Sequence, residues 1–90
     1  MEIKWTDTDP EGGGRRFLRA EKFAKQWRFS YRLRRRYVTW QPLEPTRAMW
    51  EHVLESLRGR YRRREGVSDE DIEQVERVLK NWRGPPDEEE

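Results

Sequence analysis

The chain predicts an α+β fold: a short N-terminal antiparallel β-element followed by an antiparallel helical hairpin. Three observations carry this. Residues 27–33 alternate strictly, with Trp27, Phe29, Tyr31 and Leu33 at one parity and Arg28, Ser30 and Arg32 at the other. Alternation with period two is the mark of a strand, whose successive side chains point to opposite faces. Beyond residue 45 the period changes: Trp50, Val53, Leu54, Leu57 and Tyr61, then Ile72, Val75, Leu79 and Trp82, fall at helical spacing. The connection at Glu65–Val67 is short, which makes two helices antiparallel neighbours.

At the N-terminus, Ile3–Thr6 reads as a short strand and Asp7–Gly14 as a turn carrying Pro10 and three consecutive glycines. Arg15–Ala20 reads as a second strand, so a hairpin across the turn is expected, with its register open. Glu21–Gln26 suits a helical turn, because Glu21 and Lys25 pair at i,i+4. A strand then follows from about Trp27 to Val38. The competing reading is a three-helix bundle with one long helix over Phe17–Tyr37, since Phe17, Ala20, Ala24, Trp27 and Tyr31 also share a helical face.

Gln41–Thr46 is a break. Either Pro45 at the first helical position or Thr46 as the N-cap starts a helix that runs to about Arg64, with Gly66 as its stop. Ser68 caps the last helix, Asp69–Trp82. The acidic residues Asp69, Glu70 and Asp71 sit at its positive end, and Gly84-Pro85-Pro86 follows it. The domain reading is residues 1–14 as N-terminal strand and flexible turn, 15–84 as a single small globular domain, and 85–90 as an acidic tail.

Composition narrows the function. The chain has 90 residues, 32% of them hydrophobic and 42% charged, so its core is small. Five Trp, three Tyr and three Phe offset this, because each aromatic buries a large area. With no Cys, disulfides and thiolate metal sites are excluded. No apolar run approaches the roughly 18 residues that a membrane span needs. Met1–Asp7 lacks the apolar core of a signal peptide. A cytoplasmic location without membrane contact is expected. The net charge of +2 conceals segregation: residues 11–40 hold ten basic and two acidic side chains, residues 67–90 three and nine.

Candidate ligand-binding residues follow from that segregation. Arg28, Arg32, Arg34 and Arg36 would form a guanidinium ladder on one strand face. The planar fork of guanidinium suits phosphate, and nucleic acid is the commonest polyanion a cell offers. Arg58, Arg60, Arg62, Arg63 and Arg64 form a second cluster, five arginines in seven positions. Favourable interaction with a helix C-terminus explains two or three of them. The remaining basic residues, Arg15, Arg16, Arg19, Lys22 and Lys25, add to the surplus. Most aromatics lie on stripes expected to be buried. Trp5, Tyr37 and Trp40 are less clearly so, and Tyr37 and Trp40 are the candidates for stacking on a base.

Asp7, Asp9, Glu11 and Gly12 match the first half of a calcium loop. The match then fails at Arg15 and at Leu18, where a bidentate Glu belongs. A turn is the better reading, and no metal or cofactor is expected. The lone His52 and scattered carboxylates make no catalytic constellation, so the chain reads as a non-enzyme. The functional expectation is a small basic accessory protein of nucleic acid, RNA or ribosome before DNA, with low sequence specificity. The alternative is a protein-protein interaction module whose segregated faces dock a partner of opposite charge, such as an acidic protein.

Overall fold

The computed structural model describes residues 1–33 and 39–83. The chain forms two compact units, Met1–Glu44 and Pro45–Glu90.

The first unit is a four-stranded antiparallel sheet built from β1 (Glu2–Thr8), β2 (Arg15–Phe23), β3 (Gln26–Leu33) and β4 (Gln41–Pro42), in the order β1-β2-β3-β4. Strands replace the long helix of the competing reading because period two sorts the apolar residues where period 3.6 leaves Leu18, Phe29 and Leu33 astray. On one face Ile3 stands opposite Ala20, Trp5 opposite Leu18, Ala20 opposite Phe29 and Leu18 opposite Tyr31. Ile3, Leu18, Ala20 and Phe29 are buried, whereas Trp5, Trp27, Tyr31 and Leu33 of that face are half-buried. The alternation of residues 27–33 is therefore the alternation of β3. The expected continuation from Arg34 to Val38 lies outside the described residues.

Two connections differ from expectation. Strand β1 extends to Thr8, because Asp7 stays in the ladder opposite Arg16. The remaining turn is closed by Asp9. Its amide donates to the Gly14 carbonyl (2.8 Å), its carbonyl accepts from Gly13 (2.8 Å), and its Oδ1 accepts from the Glu11 amide (3.1 Å). Gly13 takes φ +77°, which favours glycine.

The helical turn expected at Glu21–Gln26 is instead a tight β-turn. Phe23 pairs with Gln26, and Ala24 and Lys25 alone make the connection. A helical turn there would sacrifice the ladder bonds around Lys22 and Trp27. The gain would be one exposed i,i+4 pair, of about 0.2–0.5 kcal/mol. Ala24 and Lys25 take φ of 52° and 66°, the sign pattern of a type I′ turn. Neither is a residue that adopts this conformation without strain. Exchanging the pair for Asn-Gly is expected to raise the unfolding free energy by about 1 kcal/mol. A lowered thermal midpoint would contradict the assignment.

The second unit is a helical hairpin of α1 (Arg47–Arg62) and α2 (Asp69–Lys80). Thr46 is the N-cap of α1, its side chain accepting from the Met49 amide at 3.3 Å. The end of α1 comes before Gly66: Arg63 is the C-cap and Arg64 already turns left-handed at φ 60°. Ser68 and Asp71 form a reciprocal capping box on α2 (3.2 and 2.9 Å). Helix α2 ends at Lys80, short of Trp82, where the Asn81 side chain donates to the Arg77 carbonyl (3.1 Å). Gly84-Pro85-Pro86 and the acidic tail lie outside the described residues.

The helices run antiparallel. Arg47 near the start of α1 donates to the Leu79 carbonyl near the end of α2 (3.2 Å), and Arg58 pairs with Glu76 at 3.0 Å. Met49, Trp50, Val53, Leu54 and Leu57 of α1 and Val75 of α2 are buried. Tyr61, expected on the buried stripe, is exposed. Its hydroxyl bonds Asp69 at the head of α2, which raises its pKa above 10.0. That polar partner holds the ring at the connecting end of the hairpin. Among the described residues no helix is long and apolar enough to cross a membrane.

Candidate nucleic-acid interface

The sheet's second face carries the charge. By register, Glu2 and Lys4 of β1, Arg15, Phe17, Arg19, Glu21 and Phe23 of β2, and Arg28, Ser30 and Arg32 of β3 all lie on it. Among the described strand residues, five basic and two acidic side chains share this face. Lys4, Arg15, Arg28 and Phe23 are exposed, while Phe17, Arg19 and Arg32 are half-buried.

Arg19 is the centre of the face. Its Nε lies 3.4 Å from Ser30 Oγ and 3.6 Å from Glu21, and its Nη1 lies 3.7 Å from Glu2. Its guanidinium also stands over the Trp40 ring, 4.4 Å from the centroid. Arg32 approaches the same ring at 5.0 Å and the Phe17 ring at 5.4 Å. Cation–π attraction of about 0.5–1 kcal/mol per exposed contact orients both guanidinium planes. The result is an interleaved arrangement of cations and rings, rather than the bare ladder that β3 alone suggests.

The other face holds a charged pair. Arg16, only 8% exposed, grips Asp7 through two parallel bonds of 2.9 and 2.7 Å, with the Tyr31 ring 5.8 Å away. Hydrogen bonding to Asp7 raises the Arg16 pKa further. This pair serves the fold, and it engages the first carboxylate of the incomplete calcium loop. Among the described residues no group of three or more His, Asp or Glu could hold a metal ion.

The candidate arginines are therefore divided. Arg28 and Arg32 lie together on the charged face, and Arg34, Arg36 and Tyr37 lie outside the described residues. Trp40 belongs to the charged face, but its ring already contacts two guanidinium groups. In the second unit, Arg58 bonds Glu76, and Arg63 holds Glu65 in a fork of 3.0 and 3.2 Å. That bond keeps the Glu65 carboxyl below the ordinary carboxylate pKa. Arg62 and Arg64 are exposed and border a surface depression of about 560 Å³ with Tyr61, Gly66 and Val67. Arg60 is half-buried. His52 is on the exposed side of α1, and the partial covering of its ring lowers its pKa below 6.5.

Sequence reasoning counted Arg19 only toward the basic surplus and missed Phe17 and Phe23. The missing signal was the odd parity of β2, which repeats the pattern of β3 once their register is known. No protein-family model, curated protein or solved structure matches the chain.

Proposed function

We propose that the protein binds single-stranded nucleic acid, RNA before DNA, through the charged face of its sheet, as an accessory protein of low sequence specificity. One observation carries this reading: five cations and two carboxylates share a face on which guanidinium groups flank aromatic rings. Guanidinium and ammonium groups supply phosphate affinity without reading bases. The split of the face between Arg-Glu pairs and Arg-ring contacts holds the guanidinium groups in place before a ligand arrives, which lowers the ordering cost of binding. Arg34, Arg36 and the exposed arginines of α1 are further candidates for phosphate contact.

The test is fluorescence anisotropy of labelled single-stranded RNA and duplex DNA across a salt series. Each phosphate neutralised on a single strand contributes about −0.7 to the slope of log K against log salt. A slope worth several contacts is expected, and changing Arg28 and Arg32 together to Ala should flatten it by about 1.4. Circular dichroism would verify that the variant keeps its fold. Absence of binding at low salt would overturn the proposal in favour of an acidic protein as the partner.

A further inference from the structure

We infer that the tip of the β2–β3 hairpin is a nucleobase-stacking site, with Phe23 as its platform. This rests on the nucleic-acid reading above and adds to it the place where a base, rather than a phosphate, is held. Phe23 is 78% exposed, against 40% and 44% for Met1 and Tyr61, the other exposed large hydrophobic residues of the described chain. A ring left in water at a strand end contributes no burial energy to the fold and leaves its surface open to a stacking ligand.

Beside the ring lies a surface depression of about 400 Å³, lined by Met1, Glu2, Glu21, Lys22, Phe23 and Arg28. That volume falls within the range of small-molecule sites and is ample for one base. The tip is set by a two-residue turn whose φ values are both positive, at residues that disfavour them. Such local strain is kept where the surrounding structure over-determines it, commonly at ligand sites. The turn aims Phe23 by fixing the strand end, with Lys22 pinned to the first residue through a 2.9 Å bond from its amide to the Met1 carbonyl.

The charges select the ligand. Glu2 and Glu21 are direct cross-strand neighbours, and both face the depression. The lining also holds Lys22 and Arg28, and Arg19 reaches both carboxylates (3.7 and 3.6 Å), so acceptors and donors are balanced there rather than arranged for an anion. A neutral base suits such a mixed lining, and its exocyclic amino group would find an acceptor in Glu2 or Glu21, as cytosine N4 does with acidic side chains. Arg28, opposite Glu21 on the neighbouring strand, stands at the rim where the phosphate of that nucleotide would lie. The Phe23 ring belongs to the same sheet face as Arg19 and Arg32. Five residues of β2 separate it from Phe17, about 20 Å along the strand, so one single strand can reach both ends.

The experiment uses the full chain and a single-stranded RNA of about eight nucleotides, carrying the fluorescent base aminopurine at successive positions. Stacking should quench the fluorescence at one position, and Phe23→Ala should abolish the quenching. The same change should weaken binding by about 5- to 140-fold, the equivalent of roughly 1–3 kcal/mol for one stacked base. Phe23→Tyr should keep both signals. Phe23→Leu, which retains the apolar bulk without the ring, should lose the quenching. If the unaltered chain binds with a clear salt slope and Phe23→Ala changes neither signal, the stacking site is refuted while the phosphate-binding face stands. If the unaltered chain binds no RNA at low salt, both fall. Binding to phosphatidylserine vesicles that Phe23→Ala removes, with RNA affinity unchanged, would assign the tip to a membrane surface and overturn the inference.

Discussion

Replacing Asp7 by Ala is expected to lower the unfolding free energy by about 3 kcal/mol, the low end of the cost of breaking a buried ion pair. The variant leaves the Arg16 guanidinium among Leu18, Tyr31 and Leu33 without its carboxylate. It cannot escape by losing its proton, because guanidinium stays charged throughout the accessible pH range. The low end applies because the Asp7 side chain is still 34% exposed, so water screens part of the interaction. A double change, Asp7→Leu with Arg16→Met, removes both charges and is expected to fall within about 1 kcal/mol of the original protein. Urea unfolding followed by circular dichroism decides the matter. A loss below about 1 kcal/mol for Asp7→Ala would mean that the pair is solvated in solution.

Leu57→Ala is expected to cost about 2–5 kcal/mol. Leu57 has no exposed surface and is among the largest fully buried side chains of the described residues. Truncation removes apolar contact on every side and leaves a void that a helix backbone cannot collapse to fill. Leu57→Met, which nearly conserves volume, should cost less than about 1.5 kcal/mol. The comparison separates a packing effect from a change in helix propensity, because Ala is the better helix former. Equal losses for the two variants in urea titrations would contradict the assignment of Leu57 to a tightly packed core.

The elements that were legible in the sequence were those set by local chemistry. The parity of Trp27–Leu33 declared a strand because each residue's face is decided by its neighbours two positions away. Ser68, followed by Asp69, Glu70 and Asp71, declared the start of α2 because an N-cap and its acidic first turn are contained within four residues. The misread elements depend on partners distant in sequence. Nothing near Ala24 or Lys25 signals a tight turn: both residues are poor choices for positive φ, and Glu21 with Lys25 imitates a helix. What places the turn is the pairing of Lys22 with Trp27 and Ala20 with Phe29. Asp7 looked like a turn residue or a metal ligand until the β1–β2 register set it opposite Arg16. The candidate site divided the same way. Arg28 and Arg32 were legible from β3 alone, whereas Arg19, Phe17 and Phe23 join them only when β2 is laid alongside. Tyr61 kept its helical spacing, yet it lies beyond the reach of the packed stripe, exposed beside Asp69 at the head of α2.

The order β1-β2-β3-β4 makes every strand's sheet neighbour its neighbour in sequence, and the helices likewise form a hairpin of consecutive elements. The widest pairing of β1 with β2 joins residues 2 and 21, and the β2–β3 connection closes over two residues. Loop-closure entropy is therefore small at each step, since it grows only with the logarithm of loop length. Chains dominated by such short-range pairing reach their native state quickly. A chain of this design completes its sheet soon after the residues of the Met1–Glu44 unit are free to pair, and spends little time with unpaired strands exposed to other chains.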